Sequence, residues 1–238
     1  MGWADQTGYT VRCEWGEDGV LYFAPLSDVL IIVDVMSFSS CVSIAVKNGV
    51  MVHPFGERGD TAHAYADQHN ALLATRENGY LLRPANLQTL TSGTSFVLPS
   101  PNGSKLTTLA GDAQNVFAGC LRNAKTVAQE AQKHGDKVTV IPAGERWKDS
   151  RRLRPAIEDL IGAGAIIHHL SGEKSPEARI AESAYLAVKN DIVATLRACA
   201  SGQELLERGR DEDVNLILSV NVDDVAPRLI DDAYYHTG

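Results

Sequence analysis

The stretch that decides the fold is LIIVDVMSFSS, residues 30–40. Its first six residues, 30–35, are all aliphatic but one, which is typical of a strand buried on both faces of a sheet. Apolar residues then recur with helical spacing over residues 38–46, with Ser37 as a predicted N-cap and Gly49 as the predicted end of the helix. The stretch therefore predicts a strand, a polar turn and a helix in direct succession.

The same alternation returns along the rest of the chain. Strands are predicted at residues 50–53, 96–98, 115–118 and 138–141, and helices at residues 105–110, 124–131, 155–165, 177–198 and 203–208. Alternating strands and helices indicate a layered α/β fold with a largely parallel or mixed sheet. We expect a single unit over residues 1–238, within which two closely packed subdomains could divide near residues 110–135. The segment 213–230 has no clear pattern.

The composition excludes several classes of function. The 238 residues include 22 Lys and Arg against 30 Asp and Glu, a net charge of −8. An acidic chain binds poorly to nucleic acid or to anionic lipid, and its apolar stretches are far shorter than the about 20 residues that span a membrane. No secretory signal is visible, and the four cysteines are widely spaced, as in reduced proteins. We therefore expect a cytoplasmic protein with no nucleic-acid or membrane partner, and the oligomeric state stays open, a homo-oligomer included.

Three loops that follow predicted strands carry candidate chemistry, because ligands of α/β folds gather at the carboxyl ends of strands. In residues 34–40 a carboxylate that could hold Mg²⁺ precedes a helix N-terminus that favours anions. In residues 100–105 an Asn-Gly pair permits a turn whose N–H groups converge on an oxyanion. Residues 143–159 bring carboxylates and guanidiniums together, which suits a metal and a phosphate. Each loop also has a plain structural interpretation, as a helix cap, a surface turn and an acidic first turn of a helix.

Taken in order, these loops resemble the 2-phosphosulfolactate phosphatase family. The family has a strand ending in Asp-Val-Leu-Arg-Ala-Ser/Thr-Ser/Thr, an Asn-Gly-Ser/Thr loop, a Gly-x-Leu-x-Asn-Ala segment, an Ala-Gly strand end, a Glu-Asp pair and a Gly-Ala-Gly. The matching segments here are residues 34–40, 102–104, 119–124, 143–144, 158–159 and 162–165, with residues 223–227 resembling the family's closing segment. The resemblance covers residues 30–227.

The resemblance implies a Mg²⁺-dependent phosphatase acting on a small acidic phosphate monoester. The family reaction converts 2-phospho-3-sulfolactate and water into 3-sulfolactate and phosphate, a step toward coenzyme M. The partner is then a small-molecule phosphate ester. Mn²⁺ is a second candidate metal, because octahedral oxygen sites suit both ions.

The resemblance implies three sets of site residues. The metal ligands are Asp34, Glu145 and Glu158, and the catalytic residues are Asp34, Glu158 and Asp159. The phosphate-binding residues are Ser37, Ser39, Ser40, Asn102, Gly103, Ser104, Lys105 and Arg146. Whether Asp34 attacks phosphorus directly or positions a water stays open.

The chain departs from the family pattern in two places. Ser37 stands where the family has an arginine. The family's Gly-Glu-Arg segment corresponds to the different residues 75–77, and its Gly-Phe-Asp-Leu-Gly-Asn segment corresponds to the different residues 85–87. We expect Lys105 and Arg146 to replace the missing positive charge. Two alternatives follow from the change at Ser37: a phosphatase for a different compact phosphate ester, or a non-catalytic anion-binding protein of the same fold.

Overall fold

The computed structural model describes residues 2–111 and 113–236. The strands are β1 (Val11–Cys13), β2 (Val29–Val33), β3 (Met51–Phe55), β4 (Leu72–Leu73), β5 (Ser95–Pro99), β6 (Val116–Gly119), β7 (Val138–Pro142), β8 (Glu145–Arg146), β9 (Leu153–Arg154), β10 (Pro227–Ile230) and β11 (Ala233–His236). The helices are α1 (Gly16–Phe23), α2 (Phe38–Lys47), α3 (Asp60–Gln68), α4 (Pro84–Leu87), α5 (Gly103–Ala110), α6 (Ala124–Ala131), α7 (Ile157–His169), α8 (Pro176–Val188), α9 (Ile192–Ala198), α10 (Ala200–Glu207) and α11 (Asp211–Ile217).

One mixed sheet of nine strands organises the fold, in the order β1-β7-β2-β6-β10-β11-β3-β5-β4. Strands β1, β7, β2 and β6 form one parallel group, and β3, β5 and β4 form a second. The antiparallel hairpin β10–β11 lies between the two groups and pairs with β6 on one side and β3 on the other. The predicted α/β fold with a largely parallel or mixed sheet is confirmed.

Strand β2 is buried on both faces, as its aliphatic sequence predicts. Val29, Ile31 and Val33 pack in one hydrophobic cluster, with α6, α7 and α8, whereas Leu30 and Ile32 pack in another, with α1 and α5. All five side chains are fully inaccessible to solvent. Because successive residues of a strand point to opposite faces, this alternation places helices on both sides of the sheet.

Helix α2 follows β2 after one turn, as predicted, but its capping differs from the prediction. Ser37 makes no side-chain cap, and instead Oδ1 of Asp34 accepts the N–H of Phe38 at 3.4 Å. The helix ends before Gly49, whose φ of +77° is easily adopted only by glycine. The carboxylate at the end of β2 is thus held against the first turn of α2.

Helix α7 packs unusually close to its neighbours because of two glycines. A Cβ atom at Gly162 would lie 2.5 Å from Cγ2 of Val35, and one at Gly164 would lie 2.0 Å from the carbonyl oxygen of Ala181 on α8. These distances are far below van der Waals contact, so only glycine permits the packing. The close approach brings the first turn of α7, with Asp159, to the carboxyl ends of β2 and β7.

Several predicted elements differ in detail. The helix predicted over residues 177–198 is two helices, α8 and α9, separated at residues 189–191, and Pro155 precedes α7 instead of opening it. The segment without a clear pattern contains α11 and the start of the β10–β11 hairpin. The four cysteines are free thiols, as expected. Within the described residues, no helix is both long and apolar enough to span a bilayer.

The domain organisation is not decided by these observations. A single unit over residues 1–238, with a subdivision near residues 110–135, stays a prediction. Residues 1, 112, 237 and 238 of that unit lie outside the described residues.

Candidate active site

A cavity of about 600 Å³ opens where the carboxyl ends of strands from both parallel groups meet. The carboxyl ends of β2, β5 and β7 contribute the polar residues Asp34, Ser37, Ser100, Asn102 and Glu145. The loops after β3 and β4 and the turn between α10 and α11 contribute four arginines, Arg58, Arg76, Arg208 and Arg210. The cavity therefore combines carboxylates, hydroxyls and guanidiniums, the groups that bind a metal-associated oxyanion.

Asp34 is the most constrained carboxylate of the cavity. Its Oδ2 accepts the N–H of Gly103 at 2.8 Å, which ties the turn before α5 to the end of β2. The side chain is nearly inaccessible, and burial, followed by the negative charge of Glu145, raises the pKa of Asp34 to about 7. Asp34 can therefore bind and release a proton close to neutral pH.

Asp159 lies behind the cavity and organises it. Its Oδ1 accepts the N–H of Val35 at 2.7 Å, and its Oδ2 accepts the N–H of Gly144 at 2.8 Å. Burial raises its pKa well above the ordinary value, and the nearby charge of Asp34 raises it further. Both oxygens are used to hold the ends of β2 and β7, so Asp159 acts on the site through the backbone.

Glu145 and Glu158 differ in their access to the cavity. Glu145 lines it, accepts the amide of Asn102 at 3.1 Å, and has its pKa raised by burial and by the charge of Glu158. Glu158 is buried beside Cys199, whose sulfur lies 3.5 Å from Oε2 of Glu158, and it is not part of the cavity lining. Of the predicted metal ligands, Asp34 and Glu145 line the cavity, whereas Glu158 lies outside its lining.

The donor set at this position suits Mg²⁺. Within residues 2–111 and 113–236, none of the carboxylates of Asp34, Glu145, Glu158 and Asp159 has a cationic side chain within 4.0 Å. No three His, Cys, Asp or Glu side chains of that part of the chain are grouped as a ready-made metal site. Mg²⁺ is commonly held by one or two carboxylates, with water and substrate phosphate as its other ligands. Two unpaired carboxylates at one cavity fit that requirement.

Three of the predicted phosphate-binding serines have other partners. Ser39, Ser40 and Ser104 are fully buried in the first turns of α2 and α5. Their hydroxyls donate to the backbone oxygens of Ile32, Val35 and Leu98 at 3.2, 2.9 and 2.7 Å, respectively. Because a hydroxyl inside an apolar helix face must be satisfied locally, these residues support the strand ends. They do not line the cavity.

The two predicted cations are also placed elsewhere. Nζ of Lys105 lies 2.7 Å from Oε1 of Glu17 on α1, and Arg146 pairs with the same carboxylate oxygen. Neither lines the cavity. Since Glu17 neutralises part of their charge outside the cavity, the structure does not bring Lys105 and Arg146 to the position of the missing arginine. Of the predicted phosphate-binding set, Ser37 and Asn102 remain at the cavity, and Gly103 donates its N–H to Asp34.

Several residues that line the cavity were not among the site residues predicted from the sequence, including Ser100, Arg58, Arg76, Arg208 and Arg210. Among the described residues, the buried Ser100 hydroxyl has no hydrogen-bond partner, so a ligand in the cavity can supply one. Sequence signals existed for two arginines: Arg58 lies in a Gly-Glu-Arg-Gly segment after a predicted strand, and Arg76 lies in the divergent segment at residues 75–77. Arg208 lies at the end of the helix predicted over residues 203–208 and Arg210 follows it, and no pattern in the sequence indicated that either side chain reaches the cavity.

The raised pKa of Asp34 predicts how stability depends on pH. Its ordinary value is 3.8 and its value in the folded protein is about 7, so the folded state binds a proton more tightly than the unfolded state. The resulting stabilisation is complete below pH 4 and is lost as pH rises through 7. In EDTA, the free energy of unfolding measured in urea should therefore fall between pH 5.5 and 8.

The Asp34→Asn variant is the control for this prediction. It should show a shallower fall, because it cannot ionise at that position, although Glu145 and Asp159 keep part of the dependence. A slope identical to that of the unsubstituted protein would mean that Asp34 ionises normally.

Comparisons with known proteins point to one family. A family model described as 2-phosphosulpholactate phosphatase matches residues 22–232. A probable 2-phosphosulfolactate phosphatase of Pseudothermotoga lettingae is 24% identical over 216 residues, which cover 87% of this chain and 91% of that protein. One of Carboxydothermus hydrogenoformans is 28% identical over 83% of this chain and 84% of its own length. A 2-phosphosulfolactate phosphatase of Methanocaldococcus jannaschii is 29% identical over 130 residues, 55% of this chain and 53% of that protein.

Proposed function

The chain belongs to the 2-phosphosulfolactate phosphatase family, and from this we propose that it is a Mg²⁺-dependent phosphatase of a small acidic phosphate monoester. The substrate named for its relatives is 2-phosphosulfolactate. The proposal rests on the buried carboxylate of Asp34, which has no cationic side chain within 4.0 Å in the part of the chain that the structure describes, at a cavity that arginines also line. A cytoplasmic location and a place on a route to coenzyme M stay predictions from the sequence.

Polar groups at the ends of β2 and β5 would receive the phosphate. The hydroxyls of Ser37 and Ser100 and the amide of Asn102 line the cavity next to Asp34. The Ser100 hydroxyl has no hydrogen-bond partner among the described residues, so it can donate to a phosphate oxygen without losing a bond inside the protein. Neutral donors of this kind fix the orientation of the phosphate.

Asp34 would control the attacking water. Two backbone N–H groups fix its carboxylate, with the longer contact, 3.4 Å from Phe38, on Oδ1. An ionised carboxylate oxygen carries more than one lone pair, so Oδ1 can accept a proton from a water as well as the N–H of Phe38. We assign Oδ1 of Asp34 as the atom that takes up the proton as water attacks phosphorus, in preference to direct attack by the carboxylate. The ester P–O bond breaks as the bond to water forms, and the proton then passes to the departing alkoxide.

Asp34 and Glu145 are the residues that would hold the metal. When bound, Mg²⁺ supplies positive charge that offsets the charge of the phosphate in the transition state. Asn102 orients Glu145 through its amide, and Asp159 fixes the strand ends that carry both carboxylates. The chain thereby positions two oxygen ligands without an arginine or lysine neutralising either one.

The experiment that tests the proposal is phosphate release from a panel of small phosphate monoesters, including 2-phosphosulfolactate. Each ester is assayed with Mg²⁺, with Mn²⁺ and with EDTA. We expect release that requires a divalent cation and is restored when Mg²⁺ is added back after EDTA. Release that EDTA leaves unchanged would refute the metal dependence. Absence of release from every ester would refute the phosphatase and favour an anion-binding protein of this fold.

The same panel tests the consequence of Ser37. If a compact ester other than 2-phosphosulfolactate has the highest kcat/KM, the replacement of the family arginine by Ser37 has changed the substrate. If 2-phosphosulfolactate is best, the arginines found at the cavity compensate for that replacement.

A further inference from the structure

Of the four arginines that line the cavity, Arg208 is paired with a carboxylate of the lining, Glu204, and the other three have no carboxylate oxygen within 4.0 Å among the described residues. Arg58, Arg76, Arg208 and Arg210 all line the cavity. In the part of the chain that the structure describes, none of them lies within 4.0 Å of a carboxylate oxygen of Asp34 or Glu145. The positive charges of the other three arginines and the negative charges of Asp34 and Glu145 therefore remain available to a ligand.

The positive charge is most crowded at the turn between α10 and α11. Burial lowers the pKa of Arg210, and the nearby guanidiniums of Arg83 and Arg208 lower it further. Arg83 is paired with Asp213 at 2.7 Å, and Arg208 is paired with Glu204 at 2.5 Å. Arg210 has no carboxylate within 4.0 Å among the described residues, and it is the least exposed arginine of the cavity. The carboxylate of Asp213 opposes the effect of the two guanidiniums on the pKa of Arg210 but is itself paired with Arg83. A half-buried guanidinium with two other guanidiniums nearby is stabilised when an anion binds to it.

The phosphate does not account for this charge. In the proposed function, the phosphate is held by Ser37, Ser100 and Asn102 beside the carboxylates at the ends of β2 and β7. The arginines come from other parts of the chain, namely the loops after β3 and β4 and the α10–α11 turn. The basic groups therefore provide room and charge for a second negative group on the same substrate.

We propose that Arg210, supported by Arg208, binds a second oxyanion of the substrate, a carboxylate or sulfonate, and thereby selects acidic esters over neutral ones. The proposal rests on the proposed function, because it assigns the phosphate to the Asp34 end of the cavity. Arg210 is a specificity-determining residue in this assignment and takes no part in the transfer of the phosphoryl group.

A matched pair of esters isolates this role. 2-Phosphoglycolate carries a carboxylate, whereas 2-hydroxyethyl phosphate has nearly the same size and no second charge. KM and kcat are measured for both esters at constant ionic strength with the unsubstituted protein, Arg210→Ala, Arg210→Lys and Arg208→Ala. Arg179→Ala is the control, since Arg179 is an exposed cation of α8 that does not line the cavity.

Loss of a charge-assisted hydrogen bond should raise KM of Arg210→Ala for 2-phosphoglycolate about 10- to 100-fold. KM of Arg210→Ala for 2-hydroxyethyl phosphate should stay within about twofold of the value for the unsubstituted protein, because a twofold change in KM is less than half of the free energy of one charge-assisted hydrogen bond. Arg210→Lys should keep part of the preference for 2-phosphoglycolate over 2-hydroxyethyl phosphate, and Arg208→Ala should lose part of it. The value of kcat should change little in all three variants. Arg179→Ala should match the unsubstituted protein.

Two outcomes would overturn the proposal. An equal rise of KM for both esters would show that Arg210 binds the phosphate, and unchanged KM for both would show that it binds neither group. Thermal denaturation of each variant checks the fold, and Arg210→Lys and Arg208→Ala keep the test in place if Arg210→Ala does not fold.

Binding is measured separately so that the two proposals fail separately. If the unsubstituted protein hydrolyses neither ester, the proposed function is wrong, but calorimetric titration with 2-phosphoglycolate and with inorganic phosphate still tests Arg210. Weaker binding of 2-phosphoglycolate alone by Arg210→Ala supports the proposal. Equal weakening of both, or of neither, refutes it.

Discussion

Asp34→Asn should abolish most of the phosphate release while leaving the fold intact. The asparagine side chain has nearly the same size, and its amide oxygen can still accept the N–H of Gly103, which Oδ2 of Asp34 accepts at 2.8 Å. It cannot take up a proton from water and is a poor ligand for a hard cation. We expect kcat to fall about 10²- to 10⁴-fold, the range attributed to a positioned acid–base group. Initial rates at saturating ester with Mg²⁺ measure the effect.

The matched control for Asp34→Asn is Asp136→Asn. Asp136 is exposed and precedes β7, at the opposite end of that strand from the cavity. The control should retain full activity, and both variants should unfold cooperatively. If Asp34→Asn keeps more than a tenth of the activity, Asp34 is neither the proton acceptor nor an essential ligand.

Gly103→Ala should be damaging to both stability and activity. A Cβ atom at Gly103 would lie 2.1 Å from Cδ1 of Phe38. The ring of Phe38 is fully buried and packs edge-on against the ring of Tyr234, with 6.2 Å between the two ring centroids. The ring cannot move without displacing its neighbours, and overpacking of this kind costs about 1–3 kcal/mol or more. We expect a loss at the upper end of that range in urea denaturation. Activity should fall as well, because the shift moves the N–H of Gly103 away from Asp34.

Gly56→Ala separates the steric effect from the loss of glycine itself. Its Cβ atom would lie 3.5 Å from Cα of Lys105, an ordinary contact, in the loop that approaches the same helix. This control should leave the free energy of unfolding within about 0.5 kcal/mol of the unsubstituted protein. Equal stability of Gly103→Ala and Gly56→Ala would contradict the packing described here.

The elements that local periodicity specifies were predictable from the sequence. Strand β2 is a continuous aliphatic run, and helix α2 repeats apolar residues with a period of 3.6, so their positions follow from residues 30–46 alone. The break at residues 189–191 and the β10–β11 hairpin did not follow, because neither a short interruption in a polar helix nor two four-residue strands leave a periodic signal. The joining of β6 to β3 depends on pairing across more than 100 residues, which no local pattern specifies.

The site was predictable only in part, for a related reason. Strand-end position identified Asp34, Asn102 and Glu145 as cavity residues, because carboxyl ends of parallel strands share an edge of the sheet. It could not separate Ser37 from Ser39, since the direction of each hydroxyl depends on whether a buried carbonyl oxygen is within its reach. Arg210 reaches the cavity from a turn far along the chain, so only tertiary packing reveals it.

The hairpin between the two parallel groups also has a consequence for biosynthesis. Residues 227–236 fill the gap between β6 and β3, strands that have left the ribosome more than 100 residues earlier. During translation, β6 in one parallel group and β3 in the other therefore remain unpaired on one side until the hairpin is made. Unpaired strand edges can pair with strands of other nascent chains. Pairing of the β10–β11 hairpin closes both edges at once, so the exposure of the nascent protein to misassembly ends only when this hairpin has formed.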